Sequence, residues 1–404
     1  MYRERNSLKA LSLRIARLIL LFYNKDYYMR GLKQFLRKCL SRCFFRMEDW
    51  IIVARLNYSK RVLTKKMNNV LPLTINEKQR IATFWRSVCN NRKCTRLYNL
   101  DYYGVYNKYK RENESIIDYI PDDFYYCYAD TYFTNYHTSI KLDNKNMYEL
   151  YFHDVCRPEC IIRKVDGVIM DSSYQVIDKS LALSLCSHCE EVVVKKAIDS
   201  DGGHGVRFIK ECCSKEQILE EVISSEDNFI VQSVIKQHPL LAEFNAQSVN
   251  TIRIMTLIFN GKVNILSSVF RMGVNGARVD NASSGGIVCG INSDGSLKDF
   301  GFDASANKYL KHPQGKEFAN TIIPSYHKCV EIAERLAPRF NNYTRLISWD
   351  FAIDASETPI LVEANFTGGQ LDFHQLCNGP IWGDMTRDVL SEVISNSKDV
   401  KKCL

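Results

Sequence analysis

Two stretches alternate apolar and polar residues with the period of a strand, Thr251 to Phe259 and Lys262 to Met272, and they meet at Asn260-Gly261. That pattern predicts a β-hairpin, because Asn-Gly accepts the left-handed backbone that a two-residue turn requires. A second hairpin is expected downstream. Trp349-Asp350-Phe351-Ala352-Ile353-Asp354 and Ile360-Leu361-Val362-Glu363-Ala364-Asn365 are short apolar runs carrying polar residues, with the turn-rich Ala355-Ser356-Glu357-Thr358-Pro359 between them. Glu191 to Ile209 reads as strand, lysine, glycine loop and returning strand. Helical spacing is expected over Ser214 to Ser224 and Tyr326 to Leu336. Residues 1–66 read as helical and basic, and Asn68-Asn69-Val70-Leu71-Pro72 reads as a linker. Strands and helices in mixed order predict an α+β (α/β) protein.

The second hairpin is also a candidate for chemistry. It would bring the Asp350 and Glu363 carboxylates and the Asn365 amide oxygen onto one face. Mg²⁺ takes hard oxygen ligands and needs only one or two carboxylates when phosphates and water complete its shell. The alternative is an ordinary hairpin with a wet polar face. In the upstream segment, Gly202, Gly203 and Gly205 would let backbone N–H groups close over phosphate oxygens, and a lysine ending the preceding strand would reach the same charge. No helix pattern follows this loop, which argues against a P-loop or a dinucleotide fold, since both place a helix N-terminus there.

A chain of 404 residues, 46% hydrophobic and 25% charged, is long enough for two or three domains. Its net charge of +8 is unevenly divided: residues 1–116 carry +18 and the remainder −10. Between Arg3 and Arg46 the cations intersperse with leucines and isoleucines, so this segment either lies on an anionic membrane surface or packs its apolar residues on the body. Nucleic acid is not expected as a partner, because the rest of the chain is acidic and carries no known nucleic-acid motif. Arg14 and Arg17 interrupt the apolar run from Ala10 to Tyr23, and no apolar run is long enough to cross a bilayer. A cytoplasmic protein is therefore expected, with peripheral contact at the inner membrane face as an option. The fifteen cysteines are irregularly spaced, so reduced thiols are the default. Cys156, Cys160, Cys186 and Cys189 have a spacing that could hold zinc.

Taken in order, several segments resemble the sugar-transfer-associated ATP-grasp family, a bacterial family linked to surface polysaccharide synthesis. They are Phe84-Trp85, Tyr119-Ile120-Pro121-Asp122-Asp123, Leu142-Asp143-Asn144-Lys145-Asn146, the lysine and glycine loop, Gln237-His238-Pro239, Ser248-Val249-Asn250-Thr251-Ile252-Arg253, Asp280-Asn281-Ala282-Ser283-Ser284-Gly285-Gly286, His312-Pro313 and the Trp349 to Asn365 hairpin. The resemblance implies an ATP-grasp fold, with two α+β subdomains gripping ATP. The implied organisation is a basic segment (1–66), a pre-ATP region (67–165), a small glycine-loop subdomain (166–245), a large metal-binding subdomain (246–395) and a tail (396–404).

ATP and Mg²⁺ (or Mn²⁺) are the implied cofactors. Lys145 and Lys195 would hold phosphates with the glycine loop; where the family reads Lys-Pro this chain has Lys195-Lys196, and Lys195 is the expected contact. Gln232, Ser233 and Val234 would form the hinge that meets adenine, with serine where the family has glutamate. Arg253, Arg271 and Asn250 are the implied catalytic set, and Asp280, Asn281 and Gln375 would face substrate. The implied reaction is an ADP-forming ligation of a carboxylate to an amine through an acylphosphate, decorating a sugar or polysaccharide precursor. A phosphotransferase would share the same ligands, and a nucleotide-binding scaffold for membrane glycosyltransferases is the alternative from another class.

Overall fold

The computed structural model describes residues 54–90, 97–198, 205–210, 215–367, 369–397 and 400. The expected basic segment lies outside these except at its end, as do Gly202 and Gly203. Residues Leu56–Leu404 form one unit built on two antiparallel sheets.

The smaller sheet has five strands in the order β2-β1-β5-β3-β4: β1 Cys160–Val165, β2 Val168–Asp171, β3 Glu191–Lys196, β4 Arg207–Lys210 and β5 Phe229–Ser233. Alternation sends Val192 and Val194 to one face. There they form a core with Ile162, Ile209 and Val231, closed by Ala182 and Cys186 of helix Lys179–Ser187 and by Leu219, Val222 and Ile223 of helix Lys215–Ser225. The opposite face, with Val193 and Lys195, is left for the site. The expected boundary at 165/166 is corrected here. It cuts the hairpin of β1 and β2, whose backbones pair from Ile162–Asp171 to Val165–Val168, so the small lobe begins at β1.

The larger sheet has seven strands in the order β10-β9-β8-β7-β6-β11-β12: β6 Thr251–Phe259, β7 Lys262–Met272, β8 Ile287–Ile291, β9 Leu297–Phe302, β10 Lys308–Tyr309, β11 Leu346–Ile353 and β12 Pro359–Asn365. Both expected hairpins form. Asn260 and Gly261 take φ of 49° and 71°, the positive values that the turn demands. On one face Ile252, Ile254, Phe270, Trp349, Phe351 and Leu361 meet Cys329, Ala333 and Leu336 of helix Tyr326–Leu336. The other face carries the charged residues and is partly covered by helix Leu371–Asn378, whose His374 meets Ser267 of β7.

The pre-ATP aromatics are core. Trp85, on helix Ile75–Val88 with its Thr74/Glu77 capping box, is buried together with Tyr103 and Phe124. Residues 68–72 are not a free linker: Asn69 Nδ2 donates to Ser305 O (2.8 Å) and Leu71 N donates to Gly104 O (2.9 Å). A segment whose polar groups are spent on the body is held in place by it.

Candidate active site

Register brings the charged face together. Asp350 lies between Arg253 of β6 and Glu363 of β12, Ser348 lies opposite Asn365, and Thr251 lies opposite Arg271. Asp350, Glu363 and Asn365 therefore share one face. Arg253 grips Asp350 in a bidentate pair, Nε to Oδ1 and Nη2 to Oδ2, each at 2.7 Å. Arg271 Nη2 reaches the same Oδ2 at 3.2 Å and Asp280 Oδ2 at 3.3 Å. Its Nε donates to Thr251 Oγ1 (2.9 Å), and the Thr251 hydroxyl bonds to Asp280. Burial pushes the Asp350 carboxyl up, but Arg253 and then Arg271 outweigh it and hold the group below the usual carboxylate range. Burial opposes the Arg253 charge in turn, and Asp350 more than offsets it, so its pKa rises.

The two expected phosphate lysines arrive from different segments. Lys145 Nζ bonds Glu363 Oε1 at 2.6 Å, and its backbone N–H donates to Ala197 O (2.9 Å) just beyond β3. Lys195 shares the cavity face of β3 with Val193. Burial, followed by repulsion from Lys145, lowers its ammonium to about 8. Lys196 does not line the cavity: its stem packs 3.1 Å from where a Cβ on Gly205 would stand, and Gly205 has φ +80°. Lys195 is thus the lysine of the pair that meets the cavity.

These side chains open on one cavity between the sheets. Its small-lobe wall is Val193, Lys195, Val206, Phe208, Ser233, Val234 and Ile235, and its large-lobe wall adds Val249, Thr251, Arg278, Val279, Asp280, Asn281 and Val362 to the charged set. The donors suit a hard cation in kind. Among the described residues no three His, Cys, Asp or Glu side chains cluster as a metal site, so a cation would rely on two carboxylates and the Asn365 amide. Asp350 would be shared with its arginines. The Asn365 amide now donates to Asp350 Oδ2 (3.3 Å) and would have to present its oxygen instead.

The sequence matches the family described as sugar-transfer associated ATP-grasp over residues 128–389. The chain belongs to this family. No curated protein matches it. Among solved structures it is similar to D-alanyl-alanine synthetase A from Vibrio cholerae O1 biovar eltor, with a TM-score of 0.39 and 13% identity over 63% of this chain and 65% of that one. It is also similar to an L-amino acid ligase from Bacillus licheniformis, with a TM-score of 0.36 and 12% identity over 63% of this chain and 48% of that one. The D-alanine–D-alanine ligase from Bacillus anthracis gives 0.34 and 17%, over 64% and 68%. The chain spans less than two thirds of the length of the first two. The family assignment rests on the sequence match.

Not every residue singled out in this ATP-grasp sequence reaches the cavity. Asn250 is fully buried beneath it: Nδ2 donates to Leu241 O (2.8 Å) and Asn245 O (3.0 Å), and Oδ1 accepts Gly273 N (3.3 Å). It therefore anchors a loop and does not face the cavity. Gln375 bonds both the N–H and the carbonyl of Ile120, at 2.9 and 2.8 Å, fastening helix Leu371–Asn378 to the pre-ATP region away from the cavity. Gln232 is buried within β5, while Ser233 and Val234 line the cavity. Asp280 and Asn281 line it. Cys156 is exposed while Cys160 and Cys186 are buried, and among the described residues the four cysteines do not form a metal cluster.

Three residues escaped sequence reasoning. Arg278 and Phe208 line the cavity, Phe208 by alternating with the core residue Ile209; that alternation was the only signal. His374 is fully buried with Nδ1 2.8 Å from Ser267 Oγ, and burial, reinforced by Arg253, lowers its pKa to about 3. It is a neutral packing partner behind the charged layer.

Among the described residues no helix is long and apolar enough to cross a membrane.

Proposed function

We propose that the protein is an ATP-dependent, ADP-forming carboxylate–amine ligase that attaches an amino acid or similar amine to a carboxyl-bearing sugar or polysaccharide precursor, or the reverse pairing. The observation that carries this reading is the charge and shape of the cavity. Five cations line it (Lys145, Lys195, Arg253, Arg271 and Arg278) against three carboxylates (Asp280, Asp350 and Glu363), and with Glu191 paired to Arg278 a positive surplus remains that suits an anionic ligand. Four of the cations stand on the charged side of the cavity, whose apolar lining is Val193, Phe208, Ile235 and Val362, while Arg278 lies over Phe208. A lining of that kind accepts a flat base, with the backbone of 233–235 along its edge.

Each group then has a task. Lys145 and Lys195 hold the phosphate chain. Arg253 and Arg271 neutralise the transferred phosphoryl group and the substrate carboxylate by their charge and by the N–H groups not turned to Asp350. Asp350 pairs with both guanidiniums and holds them in place. Mg²⁺ would be held by Glu363, Asn365 and Asp350, and when bound it supplies charge neutralisation on the phosphate oxygens. In the first step a carboxylate oxygen attacks the γ-phosphorus and the bond to ADP breaks. In the second the amine nitrogen attacks the acyl carbon, phosphate leaves, and the amine gives up a proton to form the amide. Positioning and electrostatic stabilisation account for most of the first step.

The test is ATP turnover by the full chain with Mg²⁺, against pools of amino acids and of uronic or acidic sugars, with product masses. Substrate-dependent ADP and phosphate together with an amide mass supports the ligase. An acceptor heavier by one phosphoryl group overturns it in favour of a phosphotransferase.

A further inference from the structure

The loop from Gly273 to Gly286 joins β7 to β8 and carries Asp280 and Asn281 into the cavity. Its base is clamped: besides the Asn250 contact, Gly273 O lies 3.0 Å from His312 Nε2, and Asn245 Nδ2 donates to Ala277 O at 2.8 Å. A Cβ on Gly273 would come within 2.4 Å of the Asn245 amide, and one on Gly286 within 2.6 Å of Asp280 O, so the loop leaves the sheet through two positions with no space for a side chain. From this fixed base Arg278 crosses to the small lobe. Its Nη2 lies 2.5 Å from Glu191 Oε1, and its guanidinium stands 4.1 Å from the Phe208 ring centroid. Its Nε is buried with no partner among the described residues.

The place of this contact along β3 matters. Glu191, Val193 and Lys195 alternate onto one face, and Glu191 and Lys195 are about 13 Å apart at the rise of a strand. Val192 pairs with Ser233, so Glu191 is at the hinge end and Lys195 at the phosphate end. The contact thus closes the base end of the cavity, with one partner from each lobe.

We propose that Arg278 and Glu191 form a clasp that sets how long a nucleotide stays bound, making Arg278 a positioning residue for the nucleotide. This rests on the ATP reading above and deepens it. A base held between Phe208 and the hinge leaves only when the lobes part at that end, and parting them breaks both the ion pair and the cation–π contact. Because the pair is partly exposed, its effect is moderate.

The test follows dissociation of a fluorescent ATP analogue from the full chain in a stopped-flow chase with unlabelled ATP. The variants are Arg278→Gln, Glu191→Gln and the double swap Arg278→Glu with Glu191→Arg, with unfolding midpoints of the unliganded proteins as a check on folding. Arg278→Gln, which loses both contacts, is expected to raise koff about 5- to 20-fold and Glu191→Gln, which loses the ion pair alone, about 2- to 5-fold, with little change in kon. The swap is expected to recover most of the loss of the ion pair, which a purely structural role would not do. Unchanged koff in both single variants, or a swap no better than Arg278→Gln, overturns the clasp. A wild-type chain that binds no nucleotide overturns the ATP reading as well, so the two failures are distinguishable.

Discussion

Lys195 offers a test in which pH is the perturbation. Its ammonium is lowered to about 8 by burial and by Lys145. A nucleotide phosphate beside it would favour the charged form and return its pKa towards the ordinary lysine value of about 10.4. Binding must then take up a proton above pH 8. The arithmetic uses the free-state value alone: the unbound lysine is about nine-tenths charged at pH 7 and about one-tenth charged at pH 9, so affinity should fall about tenfold between them. Stability of the unliganded protein should move in the opposite direction. A lysine whose folded pKa lies below its unfolded value leaves the unfolded chain with more bound protons between about pH 8 and 10.4, so this group's contribution to stability rises through that window. The assay is nucleotide Kd by calorimetry from pH 7 to 9.5 in two buffers of different ionisation heat, for the wild type, Lys195→Met and Lys196→Met. The wild type and Lys196→Met should show the fall and the proton uptake, and Lys195→Met should bind weakly with a flat profile. A flat wild-type profile, or the same slope in Lys195→Met, refutes the reasoning.

Asp350→Asn removes the charge that compensates two buried guanidiniums, and by the usual cost of breaking a buried pair it should destabilise the protein by about 3–5 kcal/mol in urea titration at pH 7. Since the folded Asp350 pKa lies below its unfolded value, the stabilisation is present above about pH 4 and the gap between wild type and variant should close below it. Asn250→Ala strands the Gly273 N–H in the interior, while the Leu241 and Asn245 carbonyls keep the Phe244 N–H and the Gln237 amide as donors; a loss of roughly 2 kcal/mol is expected, with nucleotide affinity falling because the loop shifts. Gly286→Ala forces a methyl against the Asp280 and Met272 carbonyls and should lower the yield of folded protein and the unfolding midpoint more than Gly276→Ala, where nothing lies within 4 Å and the cost is that of the backbone at φ +72° alone.

Both long hairpins were legible because their signals are local. Period-two alternation over nine and eleven residues, with Asn-Gly between, fixes the pairing from Phe259–Lys262 to Thr256–Ile265, but a register shift between Met255 and Thr256, which no local signal announces, moves the rest by one residue and sets Thr251 beside Arg271. Spacing likewise puts Glu363 and Asn365 on one face of β12, while Asp350 joins them across the hairpin through a second register shift, between Asp350 and Phe351. The order of motifs then carried the family. What the sequence could not specify was the use to which polar residues are put once the chain is folded. Asn250 and Gln375 stand in the same motifs as Arg253 and Asp280, and nothing in their type or spacing separates a loop anchor from a cavity residue; only the carbonyls of Leu241, Asn245 and Ile120, brought in from other segments, decide it. The domain boundary failed for a related reason, since β1 belongs to the small lobe through pairing with β5 some 65 residues away. Arg278 met Glu191 and Phe208 across 87 and 70 residues of chain. Contacts of that kind are set by how two sheets face each other, a property of the whole packed unit that no window of sequence contains.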